Sequence, residues 1–213
     1  MIEIIPVINV KTRQKLEEKI RFLLANFKGI FQIDVADGIF TSWKNWNFPE
    51  DLKRAKKIKK HFELHLMIAN VEEVLNNWLE IDPKRVIVHQ EVIKNFDFIF
   101  DACKKKQIEL GIALNPETPI KEAEKYLKKI NFVLLLAVSP GPSGQTFKWF
   151  VLDKVKELRK KYPKIDIALD GGINEEIALK AKEAGANILA IGSAIFESKD
   201  PMGQIKKFKE ILS

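Results

Sequence analysis

Short apolar runs alternate with longer, lysine-rich amphipathic stretches along this chain of 213 residues. This alternation limits the possible folds more than any other feature. The runs are rich in aliphatic and β-branched residues, which is typical of strands, and the stretches between them have helical periodicity. The runs read IEIIPV, GIFQID, FELHLM, RVIVH, ELGIAL, FVLLLAV, IDIALD and ILAIG. Apolar strands that alternate with helices predict a parallel sheet covered by helices.

The series of strand–helix units predicts a single (β/α)8 barrel, the TIM barrel, as the α/β fold class. A doubly wound open sheet is the alternative. No Gly- or Ser-rich linker interrupts the series, so we expect one domain over residues 1–213. Helices are predicted at residues 12–27, 49–60, 71–81, 92–106, 120–130, 150–162, 175–184 and 201–212. Pro49 and Pro201 suit a first helical turn, Asn174 suits an N-cap, and Gly29 and Gly185 suit helix ends.

Composition restricts the class of protein further. The first ten residues lack a basic region and a cleavage site, and no apolar stretch is long enough to span a membrane, so we expect a cytoplasmic protein. The lone cysteine, Cys103, excludes an intrachain disulfide and a multi-cysteine metal site, and we expect it to be buried on a helix. The net charge of +7 comes from lysines on predicted helix faces, and no nucleic-acid recognition motif accompanies them. A mild positive field would still attract a phosphorylated metabolite.

The segment FQIDVADG places polar groups inside an apolar strand. Alternate residues share a strand face, so Gln32 and Asp34 lie with Ile30, while Phe31 and Ile33 face the other way. An amide and a carboxylate in a core are costly unless they have partners. The pair therefore indicates either polar neighbours or a ligand.

Further polar residues fall at or just after the predicted strand ends. In (β/α)8 barrels the chemistry lies at the carboxyl ends of the strands, where these side chains would converge on one rim. They are Asp34, His65, His89, Asn115, Ser139 and Asp170.

Three glycine-containing segments follow the last three strands: SPGPSGQTF, DGGIN and IGSAIF. Glycine lets backbone amides approach an anion closely, and loops after the seventh and eighth strands are the usual phosphate site of this barrel. Any one of these glycines could also serve a tight strand–helix turn. Three glycine loops on one rim predict phosphate binding at Gly141, Gly144, Gly171, Gly172 and Gly192.

Asp34 and Asp170 would face each other across the barrel mouth. Such a pair can remove a proton from one face of a carbon and return one on the other, as inversion next to a carbonyl requires. A divalent metal stabilises the enediolate formed in between, and His65 with the two aspartates offers three ligands for it. A salt-bridged aspartate and a backbone-bonded histidine are the structural alternatives.

The segments QIDVADG, ELHLM, GIALNPETP, AVSPGPSGQ, LDGGIN and IGSAIFESKDP occur in this order along nearly the whole chain. In this respect the sequence resembles the ribulose-phosphate 3-epimerase family. The resemblance implies interconversion of D-ribulose 5-phosphate and D-xylulose 5-phosphate by two aspartates, Asp34 and Asp170. It also implies a divalent metal (zinc, manganese, iron or cobalt) on Asp34, His65 and Asp170, with Gln32 or water completing the shell. The implied phosphate loops comprise Gly141, Pro142, Ser143, Gly144, Gly171, Gly172, Gly192 and Ser193. The expected partners are a ketose phosphate and further copies of the chain, with neither nucleic acid nor membrane.

The sequence departs from the family pattern within the site. Gln32 stands where the family has a second metal-binding histidine, and a side-chain amide is a poorer zinc ligand than an imidazole. The family's serine, two sugar-capping methionines and an asparagine fall at Val7, Ala36, Leu136 and Ser139. Trp43 and Trp46 replace a proline–asparagine turn, and they could form a lid, a subunit contact or loop packing.

Two other functions fit part of this pattern. Related barrels with the same glycine loops include metal-free lyases and decarboxylases of phosphorylated metabolites. A non-catalytic phosphate binder that has lost its metal is the third possibility. Gln32 and Val7 favour these two alternatives, whereas the pair Asp34 and Asp170 favours an epimerase.

Overall fold

The computed structural model describes residues 2–53 and 58–213. Across these residues, eight parallel strands pair in sequence order, and the last pairs with the first to close the barrel. The strands are β1 (Glu3–Ile8), β2 (Phe31–Ala36), β3 (Phe62–Met67), β4 (Arg85–His89), β5 (Glu109–Leu114), β6 (Phe132–Leu136), β7 (Asp166–Asp170) and β8 (Ile188–Ile191). The predicted fold class is confirmed, and the alternative of an open doubly wound sheet is wrong.

Helices follow the strands around the barrel. They are α1 (Arg13–Asn26), α2 (Pro49–Lys53), α3 (Val71–Leu79), α4 (Phe96–Lys105), α5 (Lys121–Glu124), α6 (Val151–Lys161), α7 (Glu175–Ala184), α8 (Ser193–Phe196) and α9 (Pro201–Ile211). The sequence pattern missed α8, which is too short to show a helical period. It also made the fifth helix too long, because turns follow Glu124, and it began the fourth too early, because residues 90–92 form a short 3-10 helix. Within the predicted helix 49–60, residues 54–57 lie outside the described residues.

The helix-end predictions are correct in all but one case. Asn174 accepts a hydrogen bond from the amide of Ile177, as an N-cap does. Gly185 ends α7 with a φ of 106°, a left-handed conformation in which glycine carries no steric penalty. Gly29 is not a helix end, because α1 stops at Asn26 and is followed by the extended residue Phe27.

The core has two layers that follow the alternation of each strand. Phe31, Ile33 and Val35 pack between the barrel and its helices, whereas Ile30 packs with residues of the barrel interior. Gln32 and Asp34 share one face of β2, as predicted, and that face is the barrel interior. In the register of the sheet, Asp34 pairs with His65, so both side chains lie at the same height. Neither residue ends its strand as predicted, because β2 continues to Ala36 and β3 to Met67.

Candidate active site

A cavity opens at the carboxyl ends of the strands. All eight residues implied as phosphate-binding, from Gly141 to Ser193, line it, as do Ser139, His65 and both aspartates. The full lining is Val7, Asn9, Asp34, His65, Met67, Leu136, Val138, Ser139, Pro140, Gly141, Pro142, Ser143, Gly144, Gln145, Asp170, Gly171, Gly172, Ile173, Ala190, Gly192 and Ser193. The sequence therefore identified most of the polar residues of one cavity.

Gln32 holds the two aspartates together at the floor of this cavity. Its Nε2 donates to Asp34 Oδ1 and to Asp170 Oδ2, each at 2.8 Å. Strand β2 reaches β7 through β1 and β8, so the aspartates come from strands three steps apart on the ring. All three side chains are buried, and the polar pair on β2 has the polar neighbour that its burial requires.

His65 completes a cluster that could hold a metal ion. Its Nδ1 lies 3.2 Å from Asp34 Oδ1 and 3.8 Å from Asp170 Oδ2. One potential ligand atom from each of His65, Asp34 and Asp170 lies within 4.8 Å of the others. A divalent cation bound between them would have one nitrogen and two carboxylate ligands.

Gln32 also fits a cation at this place. Its Oε1 is buried, and no residue of the described ranges hydrogen-bonds to it. Rotation of the amide by half a turn would present this oxygen to the carboxylates, which is favourable only when a cation lies between them. The donor set therefore suits a divalent ion, and its three oxygen ligands favour harder ions over zinc.

Burial and neighbouring charges in the cluster shift the pKa values of Asp170 and His65. Burial, followed by the negative charge of Asp34, raises the pKa of Asp170 to about 7. Burial opposes a charged His65, but its hydrogen bond to Asp34 and the two carboxylate charges outweigh burial and raise the pKa of His65. Protons and a cation therefore compete for the same atoms.

Two further side chains continue the network behind His65. His65 Nε2 lies 2.8 Å from His89 Nε2, and His89 Nδ1 lies 3.3 Å from Glu91 Oε2. Burial lowers the pKa of His89 to about 4, so this ring is neutral. The hydrogen bonds assign its proton to Nδ1, facing Glu91, which leaves His89 Nε2 to accept from His65. In the neutral His65 ring the proton then lies on Nε2, and the Nδ1 lone pair is available to a metal.

Glu91 is fixed by contacts of its own. Its Oε1 accepts from the amide of Asn115 at 2.8 Å and from the hydroxyl of Thr118. Burial opposes ionisation of Glu91, but hydrogen bonds from His89, Thr118 and Asn115 outweigh it and lower the pKa to about 2. His89 ends β4 and Asn115 follows β5, as predicted, but neither residue lines the cavity. His89 is fully buried against His65, and Asn115 contributes its backbone amide to Glu91.

The glycines of the loops after β6 and β7 have left-handed backbone conformations. Gly141, Gly171 and Gly172 have φ values of 146°, 101° and 66°. A Cβ on Gly172 would lie 2.9 Å from the carbonyl oxygen of Gln145, so a larger residue does not fit there. The side chain of Gln145 donates to the carbonyls of Ser139 and Pro142, at 2.7 and 2.9 Å, and thereby fixes the loop after β6.

The structure shows where the two tryptophans lie. Trp46 is buried, donates to Asp51 at 2.9 Å and packs edge-on against Trp78, so packing of the loop is the correct alternative. Trp43 is half-buried beside the cavity rim, with the Lys11 ammonium 4.1 Å from its ring centroid. Of the positions that depart from the family pattern, Val7 and Leu136 line the cavity with apolar groups, whereas Ala36 is buried.

Sequence reasoning missed Asn9 and Asn45. Asn9 follows β1, lines the cavity and donates to Asp34 Oδ2 at 3.2 Å. Asn45 is buried and bonds both the amide of Ala36 and the carbonyl of Asp34. An available signal was the position of Asn9 two residues after Val7, on the same face of the β1 end.

The closed barrel, with its cavity at the glycine loops on the carboxyl rim, defines a (β/α)8 barrel of the α/β class. The sequence pattern of the Ribulose-phosphate 3 epimerase family matches residues 3–196. The chain belongs to the ribulose-phosphate 3-epimerase family. No helix in the described ranges has the length and apolar character needed to cross a membrane.

Curated relatives of the chain are named ribulose-phosphate 3-epimerase. The chain is 32% identical over 145 residues to a ribulose-phosphate 3-epimerase of Schizosaccharomyces pombe, an alignment that covers 68% of this chain and 64% of that enzyme. It is 31% identical over 207 residues to the ribulose-phosphate 3-epimerase of Buchnera aphidicola, covering 93% of this chain and 90% of that one. These matches confirm the predicted family and indicate a sugar-phosphate epimerase.

The solved structures confirm the fold. A crystal structure of KGPDC from Streptococcus mutans superposes with a TM-score of 0.74 over 100% of this chain and 98% of its own, at 13% identity. At that identity the likeness concerns the barrel alone.

Proposed function

We propose that this chain inverts the carbon next to the carbonyl of a ketose phosphate and interconverts D-ribulose 5-phosphate and D-xylulose 5-phosphate. The observation that carries the proposal is the pair Asp34 and Asp170, buried together beneath the glycine loops of one cavity. Family membership supports a phosphorylated sugar as the substrate.

The two carboxylates are proposed to act as the acid and the base. Asp34 accepts hydrogen bonds from the side-chain amides of Gln32 and Asn9, which fix the orientation of its carboxyl group. The raised pKa of Asp170 supports a carboxylic acid near neutral pH. One group can then remove a proton from the substrate carbon while the other returns one on the opposite face.

A divalent metal is proposed on Asp34, His65 and Asp170, with the amide oxygen of Gln32 as a further ligand. When bound, the cation supplies positive charge that stabilises the enediolate. Because His65 is the one imidazole of this set, we propose that manganese or iron suits the site better than zinc. His89 and Glu91 hold the His65 ring in the tautomer that leaves Nδ1 free for the ion.

The substrate phosphate is proposed to bind the glycine loops at Gly141–Gly144, Gly171–Gly172 and Gly192–Ser193. The positive φ values in the first two of these loops, at Gly141, Gly144, Gly171 and Gly172, support this role, since they bring backbone amides close to a bound anion. Lys148, whose ammonium lies 3.2 Å from Ser139 Oγ, adds positive charge beside the loop after β6. Val7 and Leu136 would contact the carbon skeleton.

Three broader expectations accompany this function. We propose that residues 1–213 form one domain, that the protein is a cytoplasmic homo-oligomer, and that it engages neither nucleic acid nor membrane. The absence of a recognition motif in the sequence supports the last point, and the rice relative is named as a cytoplasmic isoform.

The experiment that tests the function is an assay of the purified chain with D-ribulose 5-phosphate. We expect D-xylulose 5-phosphate to form, and Asp34→Asn and Asp170→Asn each to slow turnover by at least ~100-fold. Asp101→Asn, at an exposed residue of α4, is the matched control and should retain full activity. Full activity of either active-site variant would contradict the assigned roles.

A further inference from the structure

Asn9 uses its whole side-chain amide in contacts that join separate parts of the site. Its Nδ2 donates to Asp34 Oδ2 at 3.2 Å and to the carbonyl oxygen of Gly141 at 3.0 Å. Its Oδ1 accepts from Asn45 at 3.1 Å and from the Trp43 indole at 3.4 Å. Both donors and both lone pairs of the amide are therefore occupied.

The two atoms to which Asn9 donates belong to two different parts of the proposed active site, the acid–base pair and the phosphate loop. Asp34 belongs to the carboxylate pair, and Gly141 belongs to the glycine loop after β6. They are far apart in sequence, and the Asn9 Nδ2 lies within hydrogen-bond reach of both. A change in the position of the loop would therefore act directly on the carboxylate.

The partners on the acceptor side hold Asn9 in place. Asn45 is buried and bonds the backbone on either side of Val35, through the carbonyl of Asp34 and the amide of Ala36. Thr41, in the same segment, donates to the carbonyl of Pro140 at 2.7 Å. Segment 41–45 thus contacts the glycine loop directly and through Asn9.

We propose that Asn9 is a positioning residue that couples phosphate binding at the glycine loop to the orientation of Asp34. This inference rests on the proposed function. The bond to Gly141 fixes the loop for the phosphate. The bond to Asp34 Oδ2 turns Oδ1 towards His65 and Gln32, where the acid–base pair and the metal position lie.

The coupling requires an amide and not merely a side chain of similar size. Aspartate at this position would keep the acceptors for Trp43 and Asn45 but would place a carboxylate against Asp34 and the Gly141 carbonyl. Alanine would remove all four contacts. The pair of variants therefore separates loss of the donor from loss of the whole network.

The test measures two properties of Asn9→Asp and Asn9→Ala: the affinity for inorganic phosphate, by calorimetry, and kcat and KM for D-ribulose 5-phosphate. We expect both variants to bind phosphate about 3- to 10-fold more weakly and to lower kcat by about tenfold or more, since one neutral and one charge-assisted hydrogen bond are lost. Thr41→Val removes the contact to Pro140 and the longer bond from the Trp43 amide, at 3.4 Å, but leaves all four Asn9 contacts, and we expect it to raise KM much more than it lowers kcat. Ser42→Ala, at an exposed neighbour, should match the native protein.

The outcomes separate this inference from the proposed function. A native protein that turns over the sugar, with Asn9→Asp binding phosphate within twofold of native and with native kcat, overturns the coupling. A loss of kcat without a loss of phosphate affinity also overturns it. A native protein without turnover contradicts the proposed function, while phosphate binding still tests the Asn9 bond to the loop. If Asn9→Ala does not fold, Asn9→Asp gives the answer.

Discussion

The Gln32 amide nitrogen lies 2.8 Å from an oxygen of Asp170, although their strands are separated by two others on the barrel ring. The same nitrogen bonds Asp34, so one neutral donor bridges the two carboxylates. A divalent cation between them would make the same link with far greater electrostatic effect. The residue at position 32 therefore sets how strongly the site depends on a metal.

Gln32→His should raise zinc affinity by at least about tenfold, because an imidazole nitrogen replaces an amide oxygen as the ligand. Competition with a chromophoric chelator measures this affinity. Gln32→Leu, which has no ligand atom, is the control and should not bind zinc more tightly than the native protein. Equal zinc affinity of the native protein and the Gln32→His variant would show that this side chain does not reach the ion.

Asp170→Asn should stabilise the metal-free protein, and more so at higher pH. Burial raises the folded-state pKa of Asp170 to about 7, so the folded chain binds this proton more tightly than the unfolded chain. The stabilisation from that proton is full below the unfolded pKa and is lost as pH rises towards 7. We expect the free energy of unfolding of the variant to exceed that of the native protein by on the order of 2–4 kcal/mol at about pH 8, and by less at about pH 5.

Urea unfolding with chelator present measures this difference. The exposed change Asp101→Asn is the control and should show no such dependence on pH. An Asp170→Asn advantage of the same size at both pH values would contradict a raised pKa at Asp170.

Glu91→Gln should weaken metal binding by about 10- to 100-fold, although Glu91 is not a proposed ligand. The Glu91 carboxylate fixes the proton of His89, and His89 in turn fixes the ring of His65. The glutamine amide can donate to His89 Nδ1, which allows the other tautomer and releases His65. Chelator competition with manganese measures the effect, and Glu117→Gln, at an exposed glutamate of the rim, should leave the affinity unchanged. An unchanged affinity in Glu91→Gln would contradict the relay.

Gly172→Ala should weaken binding of inorganic phosphate by at least about tenfold. The new Cβ would lie 2.9 Å from the Gln145 carbonyl oxygen and 2.9 Å from the Phe147 nitrogen, so the loop must move. Gly185→Ala places the same kind of strain, at a φ of 106°, at the end of α7 outside the cavity lining. We expect it to lower stability and leave phosphate affinity unchanged. Equal effects of both variants on phosphate binding would contradict a specific role for the Gly172 loop.

The sequence predicted the barrel and much of the site because both depend on local signals. Period-two alternation placed Gln32 and Asp34 in the barrel interior, and glycine-rich strand ends identified the rim loops. The helix over 175–184 was predicted correctly because an N-cap and a C-terminal glycine mark both of its ends.

The relations missed by sequence reasoning join residues far apart in the chain. Asn9 bonds Asp34, 25 residues away, and Gly141, 132 residues away, and no local pattern indicates such partners. His89 was expected on the rim because it ends β4. It does end that strand, but its ring is fully buried, and Glu91 and His65 satisfy both of its nitrogens.

Solvent deuterium incorporation tests the central claim most directly, since it follows the proton that the two aspartates are proposed to move. We predict that the native protein, incubated in heavy water with D-ribulose 5-phosphate, introduces deuterium at the carbon next to the carbonyl. Asp34→Asn and Asp170→Asn should each suppress this exchange by at least ~100-fold. A native protein that binds the sugar phosphate but introduces no deuterium at that carbon would contradict the epimerase and leave a lyase or a phosphate binder.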